Sequence, residues 1–220
     1  MAAARRKEAD STATIVGSVP AGGVLLAVGL PKGVVTLVQE GKRDATAWVR
    51  AGGRSCPLIP EVWAVWLAAL RPRTRAELLV VAEAGRVEDP EAAIGALEAA
   101  RLLLRIDPST VGSELADVRI QPIALGAGTV PERNGVYQVT DMKTSMQMDS
   151  IAFGLWSEWD GLTTVAQAAM AVAERFKEVS PAFGIDEAAV LGRVPPLLVA
   201  LMAARYVFLD RPIDYAYLAE

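Results

Sequence analysis

The chain has 220 residues, 52% of them hydrophobic and 22% charged, and a net charge of −4. This composition fits a folded globular chain and excludes an intrinsically disordered one. There is no histidine and only one cysteine, Cys56, which removes the usual general base near neutral pH, the usual triad member and any internal disulfide.

The charge is split unevenly. Residues 1–110 carry 14 Lys and Arg against 12 Asp and Glu, and residues 111–220 carry 8 against 14, so that +2 and −6 make up the −4 of the chain. Neither half has the concentrated positive face of a nucleic-acid binder. The longest apolar runs, Gly22 to Leu30 and Val194 to Ala204, fall short of the roughly 20 residues of a bilayer-spanning helix, so no membrane span is expected. Cys56, with no partner for an internal disulfide, and the lack of a secretion signal point to the cytoplasm, and Cys56 itself reads as a small buried apolar residue rather than a reactive thiol.

In chain order, Met1 to Thr12 reads as a charged, flexible tail. Val24 to Leu30 and Val34 to Gln39 are apolar extended runs separated by Pro31-Lys32-Gly33, which predicts a hairpin. Ala45 to Arg50 is a third strand that ends at Gly52-Gly53. A helix begins near Pro60, with Val62, Trp63, Trp66, Leu67 and Leu70 at helical spacing, and Pro72 stops it. Thr74-Arg75-Ala76-Glu77 is a capping box that opens a second helix, and Gly85 is placed to end it in a left-handed turn. Asp89-Pro90-Glu91 starts a third, and Leu102 to Ile106 is a closing strand. Residues 109–117 read as a linker.

Val118 to Leu125 opens a second β segment, and Gly126 to Asn134 reads as loop. Gly135 to Asp141 and Ser145 to Asp149 form a hairpin across Met142-Lys143-Thr144. Ile151, Ala152, Leu155 and Trp159 line a helix that stops at Asp160-Gly161. Thr164-Val165-Ala166-Gln167 is a second capping box, followed by the stripe Val165, Ala169, Val172 and Phe176. Ser180 to Gly184 is loop, and Asp186 caps a last helix that Pro195-Pro196 must kink or split. The end of that helix, Ala203-Ala204-Arg205-Tyr206-Val207-Phe208-Leu209-Asp210, repeats Ala99-Ala100-Arg101-Leu102-Leu103-Leu104-Arg105-Ile106-Asp107. The chain therefore reads as α+β, with two tandem winged helix-turn-helix-like domains. Each is a small antiparallel sheet plus three helices, at 13–108 and 118–220.

The stretch Met146-Gln147-Met148-Asp149-Ser150 to Leu155-Trp156, with Asp160-Gly161-Leu162-Thr163-Thr164-Val165, resembles the PqqD-like domains. These are the precursor-peptide recognition elements of ribosomally made, modified peptides. The first half matches less closely: Trp66 and the Thr74 cap are kept, but Arg71-Pro72-Arg73 stands where Asp-Gly belongs, and Pro57 interrupts the last strand. The resemblance implies a non-catalytic module that needs no cofactor or metal and takes up a leader peptide as an added strand. The peptide would then be presented to a modifying enzyme. The implied edge is Ser145, Met146, Gln147, Met148 and Asp149, beside a groove of Val190, Val194 and Leu198 on the helix after Asp186.

Three other functions compete with this one. A winged helix that reads DNA needs basic and amide side chains on its third helix, but these helices offer Asp89, Glu91 and Glu98, or Asp186 and Glu187, so a transcriptional regulator is disfavoured. A structural adaptor of a larger complex stays open, as does a homo-oligomer. An enzyme would need a catalytic residue set, and the loose acidic group Asp141, Asp149, Glu158 and Asp160 matches no metal-loop spacing. Arg71, Arg73 and Arg75 are the one tight basic cluster outside the tail, either a solvated turn or a patch for an acidic partner.

Overall fold

The computed structural model describes residues 12–14, 18–39 and 42–212. In chain order it comprises β1 (Thr12–Thr14), β2 (Val24–Ala27), β3 (Leu30–Gln39), β4 (Lys42–Ala51), β5 (Arg54–Leu58), α1 (Pro60–Ala68), α2 (Arg75–Ala84), α3 (Pro90–Ala99) and β6 (Leu103–Ile106). A 3₁₀ turn (Gly112–Leu115) leads into β7 (Arg119–Pro122), β8 (Leu125–Thr129), β9 (Val136–Thr140), β10 (Ser145–Asp149), α4 (Ser150–Glu158), α5 (Val165–Val179), α6 (Glu187–Leu191), α7 (Val194–Ala204) and β11 (Val207–Asp210). The molecule is thus a mixed α/β chain with small antiparallel sheets.

With β1 set aside, the two halves follow one plan. The first strand of each half pairs antiparallel with its last, β2 with β6 and β7 with β11. The three strands between form an antiparallel meander, β3-β4-β5 in one half and β8-β9-β10 in the other. Helices then fill the stretch before the closing strand. Both closing strands follow an arginine in the left-handed region, Arg101 at φ 56° and Arg205 at φ 60°.

The helix starts follow their local chemistry. Thr74 and Thr164 each make the full capping box, with Glu77 and Gln167 returning the bond. Asp89, Asp149 and Asp186 each accept an N–H from the first turn. The last helix is divided, as its prolines require: α6 ends at Leu191, and Pro195 and Pro196 fall in the first turn of α7, where a missing N–H leaves no bond unmade. The Gly52-Gly53 pair, with φ of 58° and 86°, is a two-residue hairpin turn between β4 and β5. Pro57 lies in β5, an edge strand of its sheet, where proline is tolerated.

Several expectations are corrected. Val24 to Leu30 is not one strand and does not form a hairpin with Val34 to Gln39. Gly29, at φ +104°, breaks it where a Cβ would lie 2.6 Å from Val49 Cγ1, and Pro31-Lys32-Gly33 is a bulge within β3. Gly126 to Asn134 is not all loop, because β8 occupies Leu125–Thr129. Gly85 is right-handed at φ −76°, and the left-handed turn falls one residue later, at Arg86. The linker at 109–117 is packed: Gly112 and Leu115 are buried, and Ala166 N–H donates to the Ala116 carbonyl. Of the expected tail, residues 1–11 lie outside the described residues and Thr12 begins β1.

Two cores meet at β2. Leu25 and Ala27 pack among Trp63, Trp66, Leu78, Ile94 and Leu97 of the first half. Val24, Leu26 and Val28 pack with Ile106 into the second half's core of Leu155, Trp156, Val172, Leu198 and Leu201. Successive strand residues face opposite sides, so β2 is apolar throughout because both of its faces are buried.

Candidate strand-docking edge

β9 and β10 pair in antiparallel register from Ser145 opposite Thr140 to Asp149 opposite Val136. Their turn is held by the Asp141 carboxylate, which accepts the backbone N–H of Lys143 (2.9 Å) and Thr144 (2.7 Å). These two bonds hold its carboxyl below the ordinary range. The Thr144 and Tyr206 hydroxyls, 2.8 Å apart, tie this turn to the residue just before β11. At the other end, Asp149 closes β10 and caps α4 through Ala152 N–H, with no intervening loop. Its second oxygen accepts Arg193 Nη2 at 3.0 Å, so the end of β10 is fixed to the junction of α6 and α7.

Met146 and Met148 face the core and are buried. Gln147 is the one buried polar residue among those described, at 8% exposure, and its Oε1 accepts Arg133 Nη1 at 2.9 Å. The implied docking edge is already occupied at Ser145–Gln147 by a strand of the same chain. β1 pairs in parallel with β10, placing Thr12 opposite Ser145, Ala13 opposite Met146 and Thr14 opposite Gln147. The sheet order is therefore β1-β10-β9-β8.

The expected groove on the last helix is also corrected. Val190, Val194 and Leu198 are fully buried in the second core, so they pack the interior and line no open groove. By length and composition alone the stretch Glu187–Ala204, divided here between α6 and α7, is apolar enough to cross a membrane, and 39% of it is buried within the protein. The basic cluster is largely neutralised within the chain. Arg75 pairs with Glu91 and with Glu98, which holds its guanidinium further toward the charged form, and Arg73 pairs with Glu77.

One feature escaped sequence reasoning. A groove of about 450 Å³ is lined by Tyr137, Phe153, Phe176, Val179 and Phe183, with Arg175 at its side. Tyr137 and Phe153 stack at 4.5 Å, and Arg175 pairs with Glu158. Its aromatic residues come from different elements, and Phe176 was the one with a periodic signal. Compared with protein-family models, with curated proteins and with solved structures, the chain gives no match.

Proposed function

We propose that the chain is a non-catalytic peptide-binding module of two tandem winged helix-turn-helix-like units. Its second unit takes up an extended segment, the leader of a precursor peptide, and presents it to a modifying enzyme. The repeated order of strands, helices and closing strand supports the tandem reading. The observation that carries the functional reading is the pairing of β1 with β10: a segment remote in sequence adds to this edge through its backbone, the interaction that strand-adding peptides use. A DNA-reading role draws less support. Two basic groups that could meet phosphate are already held by carboxylates, Arg75 by Glu91 and Glu98 of α3 and Arg193 beside α6 by Asp149.

The test is a displayed library of extended peptides selected against the full chain, with the binding site mapped by amide hydrogen exchange. Selected peptides should slow exchange across Ser145–Asp149 and leave α3 unchanged. A library without binders, or binders that protect another face, would overturn the reading, as would sequence-discriminating binding of duplex DNA at physiological salt.

A further inference from the structure

The repeated plan exposes β1 as an addition. In the first half the strand corresponding to β10 is β5, which ends its sheet with no further strand among the described residues. In the second half β8-β9-β10 and β7-β11 make up the same unit, and β1 lies outside it as an extra edge strand. Every other ladder between named strands is antiparallel, whereas this one is parallel, the slightly weaker pairing per residue. Among the described residues, β1 covers Ser145, Met146 and Gln147 of β10. The segment is uncharged, Thr12-Ala13-Thr14, and Ile15 and Val16 follow it in sequence.

We infer that β1 is an intrachain stand-in for the partner: the partner is an extended, uncharged segment of small and β-branched residues that adds in parallel to Ser145–Gln147 and must displace Thr12–Thr14 to do so. The inference rests on the proposed strand-accepting role of β10 and assigns it a ligand class, a direction and a competitor. A resident strand with occupancy constant K lowers the apparent affinity of any rival by a factor of 1 + K. Removing the resident strand should therefore strengthen binding by that factor without changing the site.

The test uses the full chain and a fluorescent synthetic peptide carrying residues 9–17. Ala13→Pro takes a backbone donor from β1 and should weaken its pairing. This variant should bind the peptide at least about tenfold more tightly than the wild type, with slowed exchange at Ser145–Gln147. Gln147→Pro added to it should abolish binding. Equal affinity of wild type and Ala13→Pro overturns the inference. A second variant decides the matter should Ala13→Pro unfold. Thr12 and Ser145 are direct partners, so Thr12→Cys with Ser145→Cys, in a Cys56→Ser background, can be closed by oxidation. The oxidised chain should refuse the peptide, and the reduced chain should bind it as the wild type does. Binding that ignores oxidation also overturns the inference. If a library-selected peptide protects β10 equally in wild type and Ala13→Pro, the strand-accepting role stands and the competitor falls. If no peptide reaches β10 in any variant, both fall.

Discussion

Trp66 and Trp159 are both buried, yet they should respond differently to the same change. Trp66 Nε1 donates to the carbonyls of Val28 (3.3 Å) and Leu102 (3.2 Å), fastening α1 to the residue after β2 and the residue before β6. Trp159 Nε1 is buried without a hydrogen-bond partner. Trp66→Phe leaves a cavity and removes a donor from the Val28 and Leu102 carbonyls, of which Leu102 keeps the Val28 N–H (2.9 Å), at a cost of about 1–3 kcal/mol for the hydrogen bonding alone. Trp159→Phe leaves a similar cavity but removes an unsatisfied donor, so denaturant melts should show the smaller loss for Trp159→Phe. Gly112 poses a second test. A Cβ there would lie 2.1 Å from the Leu191 carbonyl oxygen, against backbone that cannot swing aside as a side chain would. Gly112→Ala is expected to destabilise by about 1–3 kcal/mol through overpacking, and an unchanged melting midpoint would show that the 3₁₀ turn can shift away from α6. Neither effect was legible from the sequence. The partners of Trp66 and Gly112 are distant along the chain, and Gly112 stood in a stretch of Ser, Gly and Asp that reads as linker.

At the scale of elements, what could be read depended on how local the signal was. Thr74, Asp89, Thr164 and Asp186 announced their helices because a cap acts within three residues. Thr74→Ala and Thr164→Ala should each cost about 1 kcal/mol. Strand β8 stayed hidden, since Leu125-Gly-Ala-Gly-Thr has no apolar alternation and is held by backbone pairing with β9. The false hairpin of β2 with β3 arose because proximity in sequence was taken for pairing, when β2 pairs with the distant β6. The turns also predict acid behaviour. Glu77 is held below its ordinary value chiefly by Thr74 N–H, Asp107 by the Ser109 hydroxyl, Asp141 by Thr144 N–H and Asp160 by Thr163 N–H. Below the ordinary values of 3.8 for Asp and 4.5 for Glu, the unfolded chain takes up protons that the folded chain refuses. Their stabilisation is therefore complete at neutral pH and is lost as pH falls through the lowered values. Melting temperature should hold steady from about pH 7 to 5 and fall below about pH 4, and Asp160→Asn should make that acid decline shallower.

The whole molecule is where the candidate edge and the stability of the chain come together. Repetition was legible, because Ala-Ala-Arg followed by an apolar strand ends both halves, and it led to the expectation of two domains joined by a linker. What the sequence could not show is that β2 serves both. Its alternate residues divide between the two cores, Leu25 on one side and Leu26 on the other. Further ties cross the same seam: Gly29 N–H donates to the Leu209 carbonyl at 2.8 Å, Gly52 N–H to Asp210 Oδ1 at 2.8 Å, and Arg211 Nε to the Arg101 carbonyl at 3.2 Å. Cutting the chain between Pro108 and Gly112 would strip Val24, Leu26, Val28 and Ile106 of their second-core partners, each worth about 1.5–3 kcal/mol when fully buried. The intact chain should therefore melt in one transition. Leu25→Ala and Leu26→Ala, neighbours in sequence that empty different cores, should each lower that same midpoint, by about 2–5 kcal/mol in stability. Fragments 1–110 and 111–220 should be poorly folded alone and regain structure when mixed, read by near-ultraviolet circular dichroism. Two resolved transitions, with Leu25→Ala moving one and Leu26→Ala the other, would show that the halves fold independently and that the shared strand couples them too weakly to matter.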